Sequence, residues 1–306
     1  MIPGGLTLAE LLPAAQDGGY AVPAFNPRYR ACIRPVVEAA AALRSPCIIQ
    51  ISQRELEWFA LTPRAFRDEL ERTLAELGTP IPFALHLDHA WSQGVIEAAM
   101  EAGFTSVMFD GSDRPLAENT ALTRGWAAAA HARGMSLEAE LGRLTAADRL
   151  ESAQDEAMYT DPEEARDFIA ATGADALAVS IGTAHGVYPV KNPRLDFARL
   201  AAIRRLLPRT PLVLHGGSGL PAATVRKAIA QPGGGISKLN VATDLEQALL
   251  AGLGGISRLT SAELDALPPA RLARGLAAVR EAARDKILNC VGSAGRAAAI
   301  REEKPE

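Results

Sequence analysis

Aromatic residues make up only 5% of this 306-residue chain, so a core large enough for 48% hydrophobic content must be filled mainly by alanine, leucine and valine. Cysteine is scarce as well. Cys32, Cys47 and Cys290 are far apart, odd in number and form no C-x-x-C, which argues against a disulfide framework and a cysteine zinc knot. All three lie in apolar surroundings and are expected to be buried free thiols in a reducing, cytoplasmic compartment. No apolar run approaches the roughly 18 residues of a membrane span. The first residues lack a basic segment followed by a long apolar run, so no signal peptide is expected. The formal net charge is −4 and no block of like charges occurs, which gives no footprint for nucleic acid or an anionic membrane. Any basic pocket for an anionic substrate must therefore be local.

Eight short apolar runs are present: VPAF at 22–25, CIIQIS at 47–52, FALHLDH at 83–89, SVMFDG at 106–111, SLEAELG at 136–142, ALAVSIG at 176–182, PLVLHGG at 211–217 and GISKLNVAT at 235–243. Several are continuous rather than alternating, as strands buried on both faces are. Between them lie alanine-rich segments with apolar residues three to four apart, such as IRPVVEAAAAL and PAATVRKAIA, which predict amphipathic helices. Thr160-Asp161-Pro162-Glu163 marks a helix start, and Gly103 and Gly173 mark helix ends. Eight strands alternating with helices favour a closed parallel α/β barrel over a doubly wound sheet, in one domain spanning 1–306. The barrel core covers about residues 20–250. The segment from 257 to 306 reads as a helical extension suited to subunit contacts. The polar stretch Arg143 to Met158 carries no strand signal, and a loop of that length is usually an active-site lid.

The chain has five histidines, and three of them fall at the ends of strand-like runs: His89, His185 and His215. Side chains at the C-terminal ends of barrel strands converge on one mouth, and three neutral imidazoles with an open fourth position suit a catalytic zinc. In HLDH, strand alternation puts His86 and Asp88 on one face and His89 on the other, so His89 joins a site only if the strand has ended there. His86 is expected inside the barrel, bonded to a neighbour. Asp88, a carboxylate beside a bound cation, suits a general base. Asp110 and Glu140, also at strand ends, suit a second metal position or a role in orienting a histidine. In HGGSG, Gly216, Gly217 and Ser218 allow backbone amides to approach an anion. The G-x-S-x-G of a serine hydrolase is broken by Leu220. Asn240, Val241, Ala242 and Thr243 close the eighth strand, and a helix start near 243 would add dipole support to a phosphate cradle.

The blocks LHLDH, GFTSVMFDGS, LEAELGRL, YTDPEEA, ALAVSIGTAHGVY, PLVLHGGSGLP and ISKLNVATDL, in order from about residue 20 to 245, resemble the class II, zinc-dependent ketose-bisphosphate aldolases, with a weaker echo at CVGSAGRAA. The resemblance implies a TIM (β/α)8 barrel with the C-terminal helical extension, usually dimeric or tetrameric. It implies cleavage of a phosphorylated ketose, such as fructose- or tagatose-1,6-bisphosphate, to dihydroxyacetone phosphate and an aldehyde. Position by position, His89, His185 and His215 match the zinc ligands, Asp110 and Glu140 an alternative metal position, and Asp88 the group that handles the C4 hydroxyl proton. Ser52, Gly186, Gly216 to Ser218 and Asn240 to Thr243 match substrate and phosphate contacts, with a monovalent cation (Na+ or K+) often near the phosphate.

Three departures bear on the aldehyde half of the substrate. The stretch after AELGRL reads Thr145-Ala146-Ala147-Asp148, so the loop acid that exchanges the C3 proton falls to Asp148, Glu151 or Glu156. Arginine and tyrosine follow Asn26 in AFNPRYR where asparagine is usual, and Arg54 follows Ser52. Ala242 resembles the tagatose-type branch. Two other readings stay open: a barrel metal-dependent hydrolase, disfavoured by the missing H-x-H and bridging lysine, and a non-catalytic sugar-phosphate-binding homologue.

Overall fold

In the computed structural model, residues 1–78, 80–142, 145–146, 158–186, 193–255 and 257–300 are described, with backbone alone at 145, 146 and 185. Among the described residues ten strands are formed: β1 Val22–Phe25, β2 Cys47–Ser52, β3 Phe83–Ala90, β4 Ser106–Phe109, β5 Ser136–Leu141, β6 Thr145–Ala146, β7 Ala176–Val179, β8 Ala184–His185, β9 Leu212–Leu214 and β10 Ile236–Val241. Eight of them close a parallel barrel in the order β1-β10-β9-β7-β5-β4-β3-β2. These are the eight runs expected, with boundaries moved by a few residues.

Strand parity separates two cores. Outward residues such as Phe25, Ile49, Leu85, Val107, Leu137 and Leu214 pack beneath the surrounding helices. Inward residues Val22, Ala24, Ile48, Ala84, Ala178 and Val213 form a second cluster at the N-terminal end of the barrel. That end is plugged by helix Leu8–Asp17, whose Leu8, Leu11 and Leu12 belong to the same cluster. Thr7 and Glu10 form a capping box at its start, and the Ser136 hydroxyl accepts the Leu8 amide at 2.8 Å. Further up the interior, side chains turn polar: Gln50, His86, Ser106, Glu138 and Lys238 are all buried. The site therefore lies above an apolar plug and a buried polar layer.

Helix signals hold in detail. Asp161 caps Pro162–Thr172 by accepting the amides of Glu163 and Glu164, and Gly103 and Gly173 end their helices with left-handed backbone at φ +87° and +70°. A helix starts at Thr243 as expected. The C-terminal extension forms helices Ser261–Asp265 and Pro269–Asp285, followed by a π-helical turn at Lys286–Val291. Gly252 and Gly275 let Pro269–Asp285 pack closely on Thr243–Gly252, since a Cβ on Gly252 would lie 2.9 Å from the Gly275 Cα. The stretch after Leu141 differs from expectation: Thr145–Ala146 is a strand, paired in parallel with Ala184–His185. Short strands of this kind carry no periodic signal, because two residues cannot show a period of two.

Candidate active site

His89 reaches the barrel mouth by a route that strand alternation does not foresee. Strand β3 does not end before it but continues to Ala90. Pairing with β4 is broken between Leu87 and Ala90, and His89 adopts φ +31°, a left-handed value unusual for a side-chain-bearing residue. The irregularity re-aims His89 to the side of Asp88. The two rings His89 and His215 then meet edge to face at 4.4 Å between centroids. Asp88, His89 and His215 bring ligand atoms within 4.8 Å of one another, as do His89, Asp110 and Glu140. His215 follows β9 directly. His185 is not at the end of β7, as the apolar run suggested, but six residues beyond Val179 in β8, and its side chain lies outside the described residues.

Carboxylates orient both described imidazoles. His89 Nδ1 donates to Asp110 Oδ2 at 2.8 Å, while Asp110 Oδ1 accepts from the Ser112 hydroxyl at 2.7 Å and the Ser112 amide at 3.1 Å. His215 Nε2 donates to Glu138 Oε1 at 2.9 Å, and its Nδ1 lies 3.2 Å from Glu140 Oε2. Lys238 Nζ lies 2.8 Å from Glu138 Oε2. His86 is fully buried and its Nδ1 lies 2.6 Å from the Ser106 hydroxyl, the interior role expected of it. Glu138 carried no separate signal in the sequence, yet its position two residues before Glu140 on one strand places both inside the barrel.

Asp88 is held by two amides: Asn26 Nδ2 donates to Oδ2 and Asn240 Nδ2 to Oδ1, each at 3.0 Å. Gln50 Nε2 donates to Asn26 Oδ1 at 2.7 Å, which fixes that amide's orientation. Burial opposes the charge on Asp88, but His89, Lys238 and His215 outweigh it and hold the carboxyl well below its usual range. Burial also opposes protonation of His89, yet Asp88, Asp110 and Glu140 raise it to about 10. His215 is raised as well, with burial and His89 opposing and Glu138 and Glu140 prevailing. Glu140 is raised by burial and by Asp110. In the described residues, three buried or half-buried carboxylates thus face two imidazoles that hold protons more tightly than usual. A divalent cation bound there would replace those protons, and the N/O donor set suits zinc.

The site opens into a cavity of about 620 Å³ that also touches Ser52, Gly186, Gly216, Ser218, Asn240, Ala242 and Thr243. Gly216 has φ +67°, and a Cβ on it would lie 2.3 Å from the Ala184 carbonyl oxygen, so only glycine lets these loops approach. The Ser218 hydroxyl accepts the amides of Ala242 and Asp244 at 3.1 and 3.2 Å, so it caps helix Thr243–Gly252 rather than leaving both amides to a ligand. Val241 points into the outer core and borders the site by its backbone alone, its carbonyl accepting from the Asn26 amide at 3.0 Å. Gly217 donates its amide to the Asn240 carbonyl at 3.0 Å. Asp148, Glu151 and Glu156 lie outside the described residues. Glu55 and Glu246 line the cavity, and sequence reasoning missed both. Glu55 sits at the third position of a capping box begun by Ser52, a legible signal, but its contact with Asn26 is a tertiary one.

Residues 6–296 match the model of the family described as fructose-bisphosphate aldolase class-II. Among solved structures, the chain is similar to the YdjI aldolase from Escherichia coli K12. Identity is 31%, coverage is 95% of this chain and 99% of that one, and the TM-score is 0.79. It is also similar to a fructose-bisphosphate aldolase from Campylobacter jejuni, with 25% identity, coverage of 94% and 97%, and a TM-score of 0.74. The closed barrel, the histidine and carboxylate cluster at its C-terminal mouth and a match over nearly the full length agree: the chain belongs to the class II fructose-bisphosphate aldolase family.

Proposed function

We propose that this protein is a zinc-dependent aldolase that reversibly cleaves a ketose phosphate or bisphosphate, of the fructose- or tagatose-1,6-bisphosphate type, to dihydroxyacetone phosphate and an aldehyde. The observation that carries the reading is Asp88, an ionised carboxylate held by Asn26 and Asn240 and clustered with His89 and His215 at the mouth of an open cavity. His89, His185 and His215 would hold the zinc, with Asp110 and Glu140 serving an alternative position. Zinc bound there supplies a Lewis acid that polarises the C2 ketone. Asp88 accepts the C4 hydroxyl proton as the C3–C4 bond breaks and returns it in condensation. The low proton affinity of Asp88 keeps it in the accepting state at neutral pH. Gly186, the Gly216 loop and the start of helix Thr243–Gly252 take the C1 phosphate, which fixes the reacting carbons against Asp88. A monovalent cation beside that phosphate and a homodimer or homotetramer are further parts of the proposal.

The test is cleavage of fructose- and tagatose-1,6-bisphosphate by purified protein with zinc, after chelation, and after zinc is restored. We expect chelation to abolish formation of the two carbonyl fragments and zinc to restore it. Chelator-resistant cleavage, or release of inorganic phosphate without carbon–carbon cleavage, overturns the reading.

A further inference from the structure

The rim of the cavity carries a stack of side chains that the proton transfer at Asp88 does not use. Helix Gln53–Trp58 starts at the Ser52 cap, and Arg54 and Trp58, four residues apart, share one face of it. Gln53 Oε1 accepts the amides of Trp91 and Ser92 at 3.1 and 3.0 Å, which draws the segment after β3 against this helix. Trp91 thereby also packs on Arg54. The Arg54 guanidinium carbon lies 5.8 Å from the Trp58 ring centre and 5.9 Å from that of Trp91, and Arg258 packs on Trp58 at 5.1 Å. All four side chains line the cavity, and the two indoles are 52% and 41% exposed.

The three arginines of this rim differ in what balances them. Arg28 pairs with Glu55 at 2.8 Å and with Glu246. Arg258 is bidentate on Glu246, at 2.5 and 2.7 Å. Arg54 has its two ring contacts but no carboxylate partner among the described residues. A guanidinium packed on aromatic rings is partly desolvated yet keeps N–H donors for a planar anion. We propose that Arg54, braced by Trp58 and Trp91, selects the aldehyde half of the substrate. It pairs with an anionic terminus, carboxylate or phosphate, of a polyhydroxylated aldehyde whose carbon chain lies along the indoles. The aldolase reading supplies the reaction in which this fragment takes part; the binding of the fragment stands apart from it.

The experiment follows tryptophan fluorescence, since two of the three tryptophans flank Arg54. Zinc-loaded protein is titrated with D-glucuronate, D-glyceraldehyde 3-phosphate and D-glucose, with saturating glycerol phosphate present to fill the other phosphate subsite. At least one anionic probe is expected to bind about 10- to 100-fold more tightly than glucose, and the tighter of the two identifies the anion. Arg54→Ala should erase that preference and Arg54→Lys restore part of it. Equal binding of glucose and both anions, or a preference that survives Arg54→Ala, overturns the proposal. Binding that depends on Arg54 in a protein that cleaves no ketose phosphate would instead overturn the aldolase reading and leave this subsite standing.

Discussion

His89 shows what one residue can hide. Its spacing from Asp88 puts the two on opposite faces of an ideal strand, and only the broken pairing and the φ of +31° bring them together. Such backbone costs on the order of 1–3 kcal/mol and persists where the surroundings enforce it. The residue types of the site were legible; the irregularity that assembles them was not, because it depends on pairing with β4. Asp88→Asn should lower kcat of cleavage by about 10²- to 10⁴-fold in steady-state assays, with KM little changed, because it removes the proton acceptor but keeps the shape. Glu138 tests the layer beneath. It fixes the ring of His215 from Nε2, so Glu138→Gln should weaken zinc affinity by about 10- to 100-fold in chelator competition, with activity regained at higher zinc. Burial pushes the Cys32 and Cys47 thiols up to about 12. Both stay protonated from pH 7 to 9, so a thiol reagent should label neither until denaturant is added. Labelling of Cys32 or Cys47 in the folded protein at pH 8 would contradict that burial.

Among the elements, the eight barrel strands were legible because continuous apolar runs bounded by glycine and proline are what buried parallel strands require. The helix Leu8–Asp17 was missed. Its signals are local, a Thr7–Glu10 capping box and a leucine pair, but its role as a plug depends on inward residues from β1, β2, β3, β7 and β9. Leu12→Ala should cost about 2–5 kcal/mol in denaturant unfolding, with the barrel mouth left intact. Gly216 joins the metal and phosphate ends of the site. Gly216→Ala places a Cβ against the Ala184 backbone at a φ that alanine resists, so the adjoining His185 strand must shift. The expected result is weaker zinc binding together with a loss of about 1–3 kcal/mol in stability. Wild-type zinc affinity in this variant would show that the two loops are not coupled.

Over the whole molecule, chemistry is layered along the barrel axis: an apolar plug, then the buried Glu138–Lys238 pair with His86, then the metal and base cluster, then the arginine and tryptophan rim. The resemblance read from the sequence concentrates in the middle layers, where residue type and spacing determine chemistry. The rim departs from the usual pattern at Arg28 and Arg54, and its stack forms only when three separate segments meet, so its meaning was not readable in one dimension. The central claim is that zinc bound at the barrel mouth activates the dihydroxyacetone phosphate half of the substrate whatever aldehyde is taken. It is tested most directly by following exchange of the C3 proton of dihydroxyacetone phosphate with deuterated solvent by NMR, with zinc and with chelator. Exchange that requires zinc is the predicted result; no exchange by zinc-loaded protein, or exchange that continues after the metal is removed, would contradict it.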